Sequence, residues 1–173
     1  MTIIGNAIVR GMNERPTGIT ALDERIPFLL SQIGAHITVE FQHRMSVVGV
    51  QPRACAVLTV LATDDGQSQR QLSERLGIHR NAMVAVIDSL EADGLVERKA
   101  HPGDRRAFAI TLTDRARSVL PELDRAGRAL EEWIANPLSD AERSTLRELL
   151  QRIAAGADLI PGVHPHFAEV PIT

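Results

Sequence analysis

The stretch that decides the fold is "QLSERLGIHRNAMVAVIDSLEADGLVERKAHPGDRRAFAITLT", Gln71 to Thr113. It begins at the end of a capping-box pattern, Ser68-x-x-Gln71, in which the serine and glutamine side chains satisfy each other's backbone N–H groups at a helix start. Leu72 and Leu76 then stand one helical turn apart, and Gly77 supplies a stop. A second short helix starts soon after, with Met83, Val86, Ile87 and Leu90 on one apolar face and Gly94 at its end. Two short helices joined around a single glycine predict a helix-turn-helix. "LVERKA" and "AFAITLT" follow with period-two patterning on either side of a Pro-Gly-Asp turn, which predicts a two-stranded hairpin. A helix-turn-helix followed directly by a hairpin is a winged helix.

Outward from this module the chain is helical. Thr20 precedes "ALDERIPFLLSQIGAHITVEFQHRM", where Ile26, Leu29, Leu30, Ile33, Ile37 and Phe41 recur at helical spacing. Pro27 is tolerable only in the first turns, so an irregular opening is expected. Gly49 and Pro52 break the chain before "RACAVLTVLAT", a helix through Ala54, Val57, Leu58 and Leu61. After the hairpin, Thr113 caps the long helix "DRARSVLPELDRAGRALEEWIA", with a kink expected at Pro121. Ser139-x-x-Glu142, a second capping box, opens "AERSTLRELLQRIAA", whose Leu146, Leu149, Leu150 and Ile153 face a partner. The expected fold is mainly α (α+β). The expected layout is a flexible tail over 1–19, one domain over 20–155 and a second tail over 156–173. Within the domain, the winged helix spans about 50–113, flanked by long helices over about 20–46 and 113–155.

With 173 residues, 44% hydrophobic and 24% charged, the composition is that of one ordinary globular domain. A single cysteine excludes an internal disulfide, no membrane span or signal peptide is expected, and the expected location is the cytoplasm. The net charge of -3 gives no global pull toward nucleic acid, and between Gln67 and Thr113 seven Lys/Arg stand against six Asp/Glu. Aromatic content of 3% with no Tyr counts against a platform on which bases stack. There is no Gly-rich phosphate loop, no His-Glu-x-x-His and no nucleophile with a base nearby, so neither an enzyme nor a cofactor is expected.

From about Thr20 to Ala155 the chain resembles the MarR family of bacterial transcription regulators. The resemblance rests on the leucine-bearing first helix with its L-G, the second helix, "GLVER", and "DRR" ahead of an alternating strand ending in "LT". It implies a homodimer in which the N-terminal helix and the last two helices of both chains interlock. It also implies a repressor of double-stranded DNA, released from a pseudo-palindromic operator by a small molecule that is often aromatic or anionic. Val84-Ala85 departs from the Thr-Arg-like pair of many relatives, and a winged helix that binds protein rather than DNA is the alternative.

The fold logic puts the start of the second helix at base edges, which singles out His79, Arg80, Asn81 and Val84. Arg80 suits guanine or phosphate, Asn81 adenine, and Val84 a thymine methyl. Ser68 and Gln69, read as carrying free N–H groups at a helix start, are expected on phosphate, with Arg98 and Lys99 on the backbone. Turn geometry does not call for Arg105 and Arg106, and a wing tip beside the minor groove explains them. The resemblance assigns Asp104 to orienting one of the two arginines.

Other features read differently. His36, Glu40 and His43 have a spacing that suits a metal, but no matching cluster follows on the later helices, so no metal is expected. Cys55 among Ala, Val and Leu reads as core, and Trp133 as a core or interface ring. By position in the family, an effector cleft would be lined by Ile33, His36, Ile37 and Cys55 or Leu58.

Overall fold

The computed structural model of the protein describes residues 18–101 and 104–165, and for His101 and 104–106 it describes the backbone only. Pro102 and Gly103 of the predicted turn, most of the N-terminal tail and residues 166–173 lie outside the described residues. The helices are α1 (Thr20–Asp23), α2 (Ile26–Val48), α3 (Pro52–Thr63), α4 (Gln69–Leu76), α5 (Arg80–Ala92), α6 (Asp114–Ala135) and α7 (Asp140–Gly156). The strands are β1 (Gln67–Ser68), β2 (Val96–His101) and β3 (Asp104–Leu112).

Two compact units divide between His36 and Ile37. In the first, the expected irregular opening takes the form of a break after α1, and α2 starts with Pro27 at its second position, where a missing N–H costs nothing. Ile26, Phe28, Leu30 and Ile33 are exposed there.

The second unit holds the core. Val57, Leu58 and Leu61 of α3, Leu72 and Leu76 of α4, and Met83, Ile87 and Leu90 of α5 pack with Ile110 and Leu112 of β3. Both predicted capping boxes are formed, at Ser68–Gln71 and at Ser139–Glu142. Thr113 caps α6 by accepting from Ala116 N–H, and its hydroxyl donates to the Gly94 carbonyl at 2.7 Å. Gly77 and Gly94 have φ of +61° and +66°, the left-handed conformation their stop roles require. α6 runs through Pro121 as one helix.

The sheet has three strands in the order β1-β3-β2, all antiparallel. β1, absent from the sequence reading, pairs Gln67 with Ile110 and Ser68 with Ala109. It is too short to carry a period-two signal. Where it ends, the Asp65 carboxylate takes over: Oδ1 accepts from Leu112 N–H at 3.0 Å, and Oδ2 lies 2.7 Å from Arg117 Nη2 of α6.

The expected C-terminal tail is described as far as residue 165. After α7 the chain turns, with Val163 N–H donating to the Ile160 carbonyl at 3.1 Å. Ile160 Cδ1 and Val163 Cγ1 lie 3.9 Å from where a Cβ on Gly77 would stand, so this segment rests on the turn between α4 and α5. Packing with the helix-turn-helix, invisible to periodicity, places it.

Asp65→Ala leaves Leu112 N–H and Arg117 without their acceptor, and about 2 kcal/mol of unfolding free energy is expected to go with it. Urea denaturation followed by circular dichroism measures this; an unchanged midpoint with an unchanged slope would reject the role given to Asp65.

Candidate nucleic-acid interface

α5 presents Met83, Ile87 and Leu90 to the core and leaves its other face open. On that face Arg80, Asn81 and Ala85 are exposed and Val84 is 39% exposed. A guanidinium, a carboxamide and a branched apolar group thus lie along one stripe, the side-chain types that read base edges in a major groove. His79 does more than the sequence suggested. Its Nδ1 accepts from Asn81 N–H at 3.3 Å and caps α5, while the residue as a whole stays exposed. The position just before a helix start was the available signal, although Ser, Thr, Asp or Asn usually fills it.

At Ser68 the expectation of a free N–H is corrected. The group donates to Gln71 Oε1 at 2.8 Å, and the Ser68 hydroxyl is engaged with the same side chain, because the capping box itself takes up these groups. Gln69 is half-buried, with its Nε2 lacking a hydrogen-bond partner among the described residues. Asn81 also lines a groove of about 480 Å³ between the start of α3 and α5, opposite Gln51 and Arg53. Arg53 escaped the sequence reading because its place beside α5 depends on how the two helices pack.

In the wing, β2 and β3 pair from Val96↔Leu112 to Ala100↔Phe108, and the register then shifts to His101↔Asp104. β3 therefore begins at Asp104, and Arg105 and Arg106 belong to a strand backbone rather than to the turn. The side chains of Asp104, Arg105 and Arg106 lie outside the described residues. Phe108, passed over in the sequence, is a wing ring that is 57% exposed.

Arg98, expected on the DNA backbone, is engaged within the protein. Nη2 donates to Asp88 Oδ1 and Nη1 to Glu91 Oε2, both on α5, and Arg98 N–H donates to Glu91 Oε1 at 3.3 Å. Its side chain is 20% exposed. Burial works against the charge, but the hydrogen bonds and charges of Asp88 and Glu91 outweigh it and hold the pKa above the ordinary arginine value. Lys99 stays exposed, its Nζ 2.6 Å from Glu97 Oε1.

The residues expected around an effector divide in kind. On α2, Ile33 and His36 are exposed and Ile37 is half-buried. On α3, Cys55 is half-buried, whereas Leu58 is fully enclosed by the core and offers no surface to a ligand, a correction to its expected place. Glu40, of the candidate metal triad, forms an ion pair with Arg44 at 2.8 Å. Among the described residues no cluster of three or more His, Cys, Asp or Glu is gathered for a metal ion, and no single helix is long and apolar enough to cross a membrane.

A helix-turn-helix with a three-stranded wing and an open polar stripe on its second helix defines a winged-helix protein of the nucleic-acid-reading class. The MarR family model matches residues 48–107. The chain is 30% identical to a probable transcriptional regulator from Pseudomonas aeruginosa of known crystal structure, with a TM-score of 0.66 and coverage of 76% of this chain and 98% of that one. The chain belongs to the MarR family of transcriptional regulators. It is similar to the Rhodococcus jostii protein CouR. A structure of that repressor on a 23-mer DNA duplex is 28% identical, covers 81% of this chain and 99% of that one, and has a TM-score of 0.71. CouR has also been solved bound to p-coumaroyl-CoA, at 28% identity, with coverage of 79% and 96% and a TM-score of 0.65. A transcriptional regulatory protein assigned to the hcr operon of Thauera aromatica is 34% identical over 105 residues, which are 61% of this chain and 63% of that relative's length.

Burial raises the pKa of the Cys55 thiol, and a hydrogen bond with Thr59 lowers it by less. The thiolate fraction at neutral pH is therefore small, and labelling by a disulfide reagent is expected to be far slower in the native protein than in urea, accelerating only as pH rises above the ordinary thiol value. Labelling of the native protein as fast as that of free cysteine at neutral pH would contradict this.

Proposed function

We propose that the protein is a homodimeric, ligand-responsive transcription regulator, a repressor that holds a pseudo-palindromic operator in double-stranded DNA and leaves it when a small aromatic or anionic molecule binds. The observation that carries the reading is the open stripe Arg80, Asn81 and Val84 on the second helix of the pair. In this reading α5 enters the major groove: Arg80 meets guanine or phosphate, Asn81 adenine, and Val84 a thymine methyl. His79 holds the helix start in position beside them. One wing arginine, Arg105 or Arg106, enters the adjacent minor groove, oriented by Asp104, and Gln69 N–H and Lys99 hold phosphates. The DNA-bound structure of the related repressor CouR supports this assignment.

The dimer reading rests on α7. Leu146, Leu149, Leu150 and Ile153 are exposed, and a groove of about 390 Å³ runs between α6 and α7 past Ala135, Leu138 and Ala154. A second copy is the natural cover for such a stripe. Domain 20–155 then consists of a reading head and dimerisation helices. The p-coumaroyl-CoA bound to CouR supports an effector with an aromatic group and negative charge, and Ile37 and Cys55 are the residues of the second unit proposed to contact it. The protein acts by binding, not by turning over a substrate, and works in the cytoplasm.

Two measurements test the reading. Fluorescence anisotropy against DNA from the protein's own upstream region is expected to give tight binding with a log-log salt slope of several units, weakened about tenfold or more by Arg105→Ala/Arg106→Ala. Salt-blind or absent binding would favour a protein-interaction module. Light scattering is expected to give twice the chain mass for the wild type and a single chain for Leu149→Arg/Ile153→Arg; a monomeric wild type would remove the dimer.

A further inference from the structure

We propose that Arg98 is a positioning residue that masks the acidic side of the recognition helix, so that α5 can approach phosphates without Arg98 itself touching DNA. The inference rests on the DNA-binding reading above. α5 carries one cation, Arg80, against two carboxylates, Asp88 and Glu91. Asp88 follows Val84 by four residues and Arg80 by eight, which puts it on the same stripe that faces the groove. Bare carboxylates there would repel the phosphate backbone and weaken every operator alike.

Arg98 answers that problem from the neighbouring strand. It sits in β2 opposite Ile110, at the root of the wing and away from the tip. Both terminal guanidinium nitrogens and the backbone N–H of Arg98 are committed to Asp88 and Glu91. The side chain is 20% exposed, whereas Asp88 and Glu91 are 58% and 41% exposed. A phosphate contact by Arg98 would have to share a guanidinium that is already paired with two carboxylates and only 20% exposed. The geometry instead fixes the fork on the carboxylates, neutralises the helix surface and ties the recognition helix to the wing.

Charge rescue separates this role from a direct contact. Operator affinity and its salt slope would be measured by anisotropy for wild type, Arg98→Ala, Asp88→Asn/Glu91→Gln and the triple variant, with melting temperature recorded for each. Arg98→Ala is expected to bind about tenfold more weakly, and the triple variant to return to within about threefold of wild type. Asp88→Asn/Glu91→Gln, which keeps the arginine, is expected to bind at least as tightly as wild type. If Arg98 is a phosphate contact, the triple variant stays as weak as Arg98→Ala and both lose about one unit of salt slope, which overturns the proposal. Should Arg98→Ala not fold, weaker binding by the folded Asp88→Asn/Glu91→Gln variant overturns it equally. A wild type with no salt-dependent binding removes the DNA reading and the masking role together. Rescue failure in a wild type that binds DNA removes the masking role alone.

Discussion

The middle strand of the wing has too little sheet to complete it. β1 supplies a partner for only two residues of β3, and at Leu112 the backbone would face an unmet donor. The Asp65 carboxylate fills that place, and with its second oxygen it holds Arg117 in the first turns of α6. The end of α3, the root of the wing and the base of a long helix therefore meet at one side chain. Leu112 is buried, so losing the acceptor for its N–H is costly, while the exposed Arg117 pair adds less.

Electrostatics in this chain is local. The module is nearly balanced in charge, and much of that balance is tied up in specific pairs: Arg75 with Asp64, Arg117 with Asp65, Arg98 with two acids on α5, and Lys99 with Glu97. Counting charges along the sequence treats these cations as available, but the pairing removes Arg98 from that pool. Affinity for a polyanion in such a protein depends on which few cations are left unpaired at the right positions, and steering at long range contributes little.

What could be read from the sequence was what is encoded within a few residues. Both capping boxes, the Thr113 cap, and the stops at Gly77 and Gly94 are local patterns with a local cause, and the structure forms each of them. The apolar faces of α3, α4 and α5 were equally legible because helical periodicity survives in the sequence. The errors lie where the partner is far along the chain. β1 pairs across more than forty positions, Arg98 finds acids seven and ten residues back on another element, and Leu58 turns inward because α5 and β3 close over α3. The capping role of His79 was hidden by residue type, since histidine is an uncommon cap. For the candidate site, the stripe on α5 was readable as a helix face and the commitment of Ser68 was already implied by its capping box, but that of Arg98 was not, because its acids lie on another element.

The Asp65 junction also orders events in time. The contacts between α4 and α5 are close in sequence and can form as soon as the chain collapses, whereas the two bonds of Asp65 close separations of 47 and 52 residues. Closing such loops is an entropic cost that must be met before any reward arrives, so the pairing of β1 with β3 and the two Asp65 bonds are expected to follow the local β2–β3 hairpin. A nascent chain would thus hold its helix pair and its hairpin before Asp65 joins them to α6.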